Sequence, residues 1–298
     1  MERCNVVFAT DENYIRHLCV ALISLLQNNL QRDFNIYIIS SGMSAVSLKN
    51  IESTLKGHRC VFTHLKITDD IFEGVVTTNH FTKANYYRLL IPKLISEDKI
   101  LYLDADIVVK GSIDSLYESD IKDYYIGAIE NPGFTRHNEL KMDIRSKYFN
   151  SGVMLMNLKK WRSSELANKV IEFVENNPKK IEFVDQCGLN SIINGAWMEF
   201  SPKYNQQSVI FEENFVAKYN CFNSDELDEA LKAPVIIHYT GSSKPWHLRN
   251  KHPYKYLYWR YLMLTPYKYS VPTDMSFLNI LKFIFPEFCK NYLRSIFK

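Results

Sequence analysis

Glycine and proline are scarce in this chain, ten of each in 298 residues, and no low-complexity stretch or internal repeat occurs. Those absences argue against disordered linkers and against a solenoid. The six cysteines (Cys4, Cys19, Cys60, Cys187, Cys221 and Cys289) stand far apart, with no C-x-x-C pair among them. They form neither a disulfide framework nor a thiolate zinc site, and they fit a reducing compartment. No apolar run approaches the roughly 20 residues that a spanning helix needs. Glu2, Arg3 and Cys4 lead straight into a strand-like run without a signal-peptide layout, so the expectation is a cytoplasmic protein. Also missing is a G-x-G-x-x-G after the first apolar run, which removes the dinucleotide fingerprint.

Hydrophobic residues make up 46% of the chain, enough to bury a full core in one large domain or one domain plus an appendage. The formal charge of +3 is unevenly spread: residues 249–298 carry a net +7 and the rest a net −4. A mildly acidic body with a basic tail suggests that the tail meets something anionic. It does not suggest nucleic acid, for which no recognition motif is present.

The opening reads as alternating strands and helices. Asn5–Thr10, Phe34–Ile39 and Cys60–Ile67 are strand-like, and between them lie a helix striped by Leu18, Leu22, Leu25 and Leu26 and another over about 44–55. A βαβαβ start predicts an α/β fold with a parallel, Rossmann-like sheet covered by helices. In the first turn Asp11, Asn13 and Tyr14 could cap a helix or grip a base, and the cap is the commoner use.

Lys99–Val109 carries the main chemical signal. Its apolar residues predict a buried strand, and Asp104 and Asp106 stand one residue apart where that strand should end, with small Ala105 between. Alternate side chains of an extended chain share a face, so the two carboxylates point the same way. Leaving both unpaired in a buried place would be costly, and a hard divalent cation is the natural neutraliser. A solvated acidic turn is the bland alternative.

Upstream, residues 82–91 read as a helix closed by Pro92, with Arg88 placed to bind phosphate or to pair with a carboxylate. Downstream, Tyr124–Ile129 and Tyr148–Asn157 read as strands, the second entered through Asn150-Ser151-Gly152. An amphipathic helix over 158–176 follows, then a short one opened by Phe183-Val184-Asp185-Gln186. Pro234–Trp246 is the second informative stretch. A buried strand ends in His238, and a turn with Gly241 leads to Lys244, the layout of a polyphosphate contact. A lone strand-end histidine is by itself more often a satisfied core residue.

Taken together these stretches resemble glycosyltransferase family 8, the retaining sugar-nucleotide transferases, and within it the bacterial lipopolysaccharide galactosyl- and glucosyltransferases. The resemblance rests on Phe8–Tyr14, Tyr87-Arg88-Leu89, Leu101–Asp106, Phe149–Val153, Asn157–Trp161, Asp185-Gln186 and His238–Trp246, in the family's order. It implies a GT-A fold, a mixed sheet flanked by helices, with Asp104, Asp106 and His238 holding Mn²⁺ (or Mg²⁺). It also implies a UDP-hexose donor, UDP-galactose or UDP-glucose, and a glycan or glycolipid acceptor. Asp11, Asn13 and Tyr14 would bind uridine, with Ala105 beside the metal. Arg88, Gly241 and Lys244 would contact the diphosphate, and Asn150, Asp185 and Gln186 the sugar. Gln186 would offer its amide oxygen to the anomeric carbon. Cys187 stands where the family often has an acid, and Asn131 where it has an Asp, so a carboxylate nucleophile is disfavoured at those positions. The expected chemistry is front-face attack with the departing phosphate taking the acceptor's proton.

The expected organisation is a catalytic domain over 1–247 and a basic, aromatic, helical tail over 248–298. Phe277–Phe285 and Phe288–Phe297, interspersed with Lys and Arg, suit attachment to an anionic membrane surface; packing on the body is the alternative. Two rivals are weaker. A haloacid-dehalogenase-type phosphatase would place its D-x-D near the N-terminus and need a later acidic pair. A non-catalytic sugar-nucleotide-binding relative would not need the metal triad, Lys244 and Gln186 together, and within the family the basic amphipathic tail argues for a lipid-linked acceptor over self-glycosylation.

Overall fold

Strand β1 (Cys4–Ala9) is buried on both faces, as a strand sandwiched between helices must be. The chain then supplies β2 (Phe34–Ser40), β3 (Cys60–Lys66), β4 (Lys99–Leu103), β5 (Ile107–Val109), β6 (Ile126–Glu130), β7 (Phe149–Asn157), β8 (Met198–Glu199), β9 (Gln206–Gln207) and β10 (Ile236–His238). A computed structural model gives these elements and describes residues 3–68, 72 and 83–284. Among the described residues seven strands form one sheet in the order β3-β2-β1-β4-β7-β6-β8. Its first four strands run parallel, and β7 is antiparallel to both β4 and β6, so the sheet is mixed. Helices Ile15–Gln27 and Ala45–Leu55 cross between the parallel strands, the second capped by the Ser44 hydroxyl.

A smaller sheet, β5-β10-β9, stands beside the first. The strand expected to end at the carboxylates does so: β4 closes at Leu103, β5 opens at Ile107 in a different sheet, and Asp104-Ala105-Asp106 is the joint between them. Antiparallel pairing of β10 with β5 sets His238 opposite Ile107, next to Asp106. The meeting of histidine and carboxylates is thus a matter of strand register.

Three expectations are corrected. Residues 83–90 form a 3₁₀ helix, not an α-helix, and the described part begins after Thr82. Pro92 sits in the first turn of the short helix Ile91–Leu94, where its missing N–H has no partner to lose. The helix over 158–176 is two, Leu158–Ser163 and Leu166–Asn176, broken where Glu165 adopts φ 53°.

In the tail, helix Lys255–Leu262 lies against Ile15–Gln27. Leu257, Tyr258, Tyr261 and Leu262 are buried in one cluster with Val20, Ile23 and Trp246. A hydrogen bond extends the seam: Trp259 Nε1 donates to Pro245 O at 3.0 Å. The first tail helix therefore packs on the body. Helix Phe277–Ile284 instead exposes Phe277, Leu278, Phe283 and Ile284. The expected second amphipathic stretch, Phe288–Phe297, lies outside the described residues. Among those described, no helix is long and apolar enough to cross a membrane.

Candidate active site

The joint between the sheets forms the floor of a cavity of about 560 Å³. Asp104, Asp106 and His238 each aim one ligand-type atom at a common point, all within 4.8 Å of one another. His238 Nε2 is 3.2 Å from Asp106 Oδ1 and 3.8 Å from Asp104 Oδ2. Behind them Gly152 gives the space: a Cβ there would lie 2.2 Å from His238 Cε1 and 2.8 Å from Asp104 Oδ2.

Each carboxylate has its own cation. Arg88, wholly buried, donates from Nη2 to Asp104 Oδ1 at 3.1 Å and from Nη1 to Ser151 O at 2.5 Å. Its Nε donates to Asn85 O and lies 3.1 Å from Asp185 Oδ2. This arginine thus donates to two backbone carbonyls and pairs with two carboxylates. Burial alone would weaken its charge, but Asp104 and Asp185 outweigh that and raise its pKa further. Tyr102 adds a hydroxyl that donates to Asp104 Oδ1 at 2.6 Å, and the guanidinium lies 4.3 Å over its ring.

Asp106 pairs with Lys244, whose Nζ lies 2.5 Å from Oδ2 and also donates to Tyr239 O at 2.7 Å. Burial pushes the Asp106 carboxyl up, yet Lys244 and His238 overcome it and hold Asp106 well below the usual carboxylate range. Gly241 has φ +84°, a left-handed backbone that a glycine adopts without strain, and it turns the chain from His238 to Lys244.

The residues expected on the sugar side are brought to the same cavity. Asp185 and Gln186 stand in the first turn of helix Val184–Ile193. Burial pushes Asp185 up to about 7, against the pull of Arg88. Gln186 Oε1 accepts from Ser151 N at 2.9 Å and from Ser151 Oγ at 3.3 Å. The amide oxygen expected at the anomeric carbon is thus oriented by Ser151. Asn150 lines the cavity too, but its Oδ1 accepts from Gly152 N and from Asn205 Nδ2.

At the opposite end, Asp11, Asn13 and Tyr14 line the cavity while Asp11 also caps a 3₁₀ turn through Asn13 N at 2.9 Å. Cap and site are the same residue. Tyr14 meets His17 and Trp246 edge-on at 5.3 and 5.9 Å, and His17 stacks on Trp246 at 3.5 Å. Burial pushes His17 down to about 3, so it stands uncharged in this aromatic group. Ala105 is buried between the two aspartates and also lines the cavity.

Sequence reasoning missed Gly152, Tyr102, Ser151 and Asn205 as site residues. Gly152 stood inside a quoted motif, but only the fold brings it to Asp104, whose N–H donates to Gly152 O at 2.8 Å. Nothing in the sequence marks Asn205.

Comparison with known proteins agrees with this geometry. The profile of glycosyl transferase family 8 matches residues 5–250. General stress protein A of Bacillus subtilis (strain 168) is 33% identical over 271 residues, covering 89% of this chain and 94% of that protein. A lipopolysaccharide 1,2-glucosyltransferase of Escherichia coli is 32% identical over 260 residues, 83% of this chain and 74% of its own length. The crystal structure of the galactosyltransferase LgtC, in complex with donor and acceptor sugar analogs, superposes with a TM-score of 0.79 at 25% identity, covering 91% of this chain and 98% of that one. The mixed α/β architecture is that of the GT-A fold, and the chain belongs to glycosyl transferase family 8.

Proposed function

We propose that this glycosyltransferase moves galactose or glucose, with retention, from a UDP-sugar to a saccharide acceptor, and that Asp104, Asp106 and His238 hold Mn²⁺ or Mg²⁺. The observation that carries this reading is the convergence of those three side chains on the floor of a cavity lined by Asp11, Tyr14, Asp185 and Lys244. The donor set suits such an ion: carboxylate oxygens favour a hard divalent cation, and one imidazole shifts the preference towards Mn²⁺. When bound, the cation supplies counter-charge to a diphosphate leaving group.

The chain's own residues do the rest. Asp11 and Asn13 hold the uridine, and Tyr14, steadied by His17 and Trp246, stacks on the base. Lys244, already at the mouth of the carboxylate pair, offers its ammonium to the departing phosphate oxygens. Arg88 keeps Asp104 and Asp185 in place, and Asn150, Asp185 and Gln186 line the donor-sugar side. Cys187 donates no carboxylate and Asp185 faces Arg88, so front-face attack is favoured over double displacement. The acceptor's hydroxyl proton then passes to the leaving phosphate as the new glycosidic bond forms.

The Escherichia coli lipopolysaccharide 1,2-glucosyltransferase and LgtC support a hexose donor and a lipopolysaccharide or lipooligosaccharide acceptor. We also infer that the exposed apolar face of helix Phe277–Ile284 seats the enzyme peripherally on the cytoplasmic face of an anionic membrane.

A screen of UDP-hexoses for Mn²⁺-dependent UDP release tests the catalytic proposal. One hexose is expected to turn over, and Asp106→Asn is expected to lower that rate at least about 100-fold. Full activity in the variant would remove the metal assignment. Turnover with no donor would favour a non-catalytic relative, and sugar found on the chain itself a self-glycosylating one.

A further inference from the structure

Asn205 ends the short turn Pro202–Tyr204, directly before β9, and is 1% exposed. Its Oδ1 is 2.9 Å from His238 Nδ1, and its Nδ2 is 2.9 Å from Asn150 Oδ1. Which end of a side-chain amide is oxygen must be inferred from its partners. Here a backbone group decides. Gly152 N is 3.0 Å from the Asn150 atom in question, and a backbone N–H only donates, so that atom is oxygen. The other end of Asn150 is then the NH₂, which donates to Asn131 Oδ1 at 3.3 Å. The Asn205 atom facing the Asn150 oxygen must in turn be its own NH₂, which leaves the Asn205 carbonyl oxygen against His238. An oxygen 2.9 Å from Nδ1 accepts, so Nδ1 carries the hydrogen. In the neutral ring, the form that ligates metal, that leaves the lone pair on Nε2, the nitrogen that faces Asp104 and Asp106.

We propose that Asn205 is a positioning residue that locks His238 in its Nδ1–H tautomer, so that Nε2 is presented to a divalent cation as a ready ligand. The orientation is relayed from the Gly152 backbone N–H through Asn150 to Asn205. Flipping the Asn205 amide would set NH₂ against the ring N–H and bring two oxygens together 2.9 Å apart, so the chain of three amides admits one arrangement. Gly152 therefore serves twice, leaving room for the imidazole ring and donating the hydrogen bond that orients its partner. A ligating histidine whose second nitrogen is held in this way binds metal about 10- to 100-fold better than one whose partner is removed.

The tautomer itself stands apart from the metal assignment; only its purpose rests on that reading. The test uses the full chain labelled with ¹⁵N-histidine, free of metal, with His238→Gln to assign the ring signals. In the wild type, at a pH where the ring is neutral, His238 is expected to show an N–H at Nδ1 and a bare Nε2. Asn205→Leu should lose that preference and weaken Mn²⁺ binding, followed by electron paramagnetic resonance without nucleotide, by about 10- to 100-fold. Asn205→Asp keeps an oxygen against Nδ1 and should keep the tautomer, at a cost in stability because its second oxygen meets Asn150 Oδ1. The proposal is overturned if wild-type His238 carries its hydrogen on Nε2, or if folded Asn205→Leu keeps both tautomer and Mn²⁺ affinity. Should Asn205→Leu not fold, the wild-type and Asn205→Asp spectra decide. The Nδ1–H tautomer in a wild type that binds no Mn²⁺ would uphold the relay and remove the metal reading instead.

Discussion

At the scale of single residues, the site is governed by what one atom can displace. A methyl group at position 152 would overlap His238 Cε1 and crowd Asp104 Oδ2, both of them parts of the proposed cation site. Gly152→Ala is expected to lower Mn²⁺ affinity at least about tenfold while the chain stays folded, as read by metal titration beside circular dichroism. Asp185 gives a second, pH-dependent prediction. Its pKa rises from an ordinary 3.8 to about 7 because burial disfavours the charged form. The folded state therefore holds this proton more tightly than the unfolded state. The stability it contributes is full below about pH 4 and is lost as pH climbs through 7, a change of at most about 4 kcal/mol. Melting temperatures of Asp185→Asn between pH 4 and 8 should follow a flatter curve than those of the wild type. Equal slopes would mean that Asp185 is ionised throughout.

The elements show where sequence patterns end and tertiary contacts begin. β1, β2 and β3 were legible because apolar runs bounded by polar turns suit a covered parallel sheet, and the D-x-D stood out because two carboxylates break an apolar run. The break at Glu165 was not legible. No glycine or proline announces it, and the left-handed backbone there is imposed by the packing of Leu166, Ala167, Val170 and Val174 on the sheet. Such a conformation costs a non-glycine residue about 1–2 kcal/mol. Glu165→Gly removes that strain but loosens the unfolded chain by about 0.5–1 kcal/mol. The expected result is a gain of up to about 1 kcal/mol, read from the urea midpoint, and a loss would show that the Glu165 side chain contributes more than its strain. Asn205 was illegible for another reason. A lone asparagine after Pro-Lys-Tyr reads as turn chemistry, and only the fold brings it to His238, 33 residues away. The roles of Arg88 and Gln186 likewise needed partners that a one-dimensional string does not reveal.

For the molecule as a whole, the basic tail divides in two. Its first helix is part of the body's packing, with Tyr258 OH 2.8 Å from His17 Nδ1, while Phe277–Ile284 turns apolar side chains outward. Removing residues 276–298 is therefore expected to leave melting temperature and turnover on a water-soluble acceptor within about twofold of the full chain. The same truncation should abolish co-sedimentation with vesicles rich in anionic lipid. If vesicle binding survives, the membrane contact lies elsewhere on the protein. Removing the chain from residue 254 onward should instead cost stability outright, because Leu257, Tyr258 and Leu262 would leave a hole beside Val20 and Ile23.

Leu103 and Ile107 are near neighbours along the chain, yet they belong to two separate sheets with only the Asp104–Asp106 hinge between them. A cation gripped there from one side and by His238 of the smaller sheet from the other would act as a rivet across that hinge. At a hundredfold excess over its dissociation constant such an ion adds about 2.7 kcal/mol to the folded state. Starving a cell of the metal would then do more than silence the enzyme: it would leave the two sheets easier to prise apart and the chain a softer target for proteases.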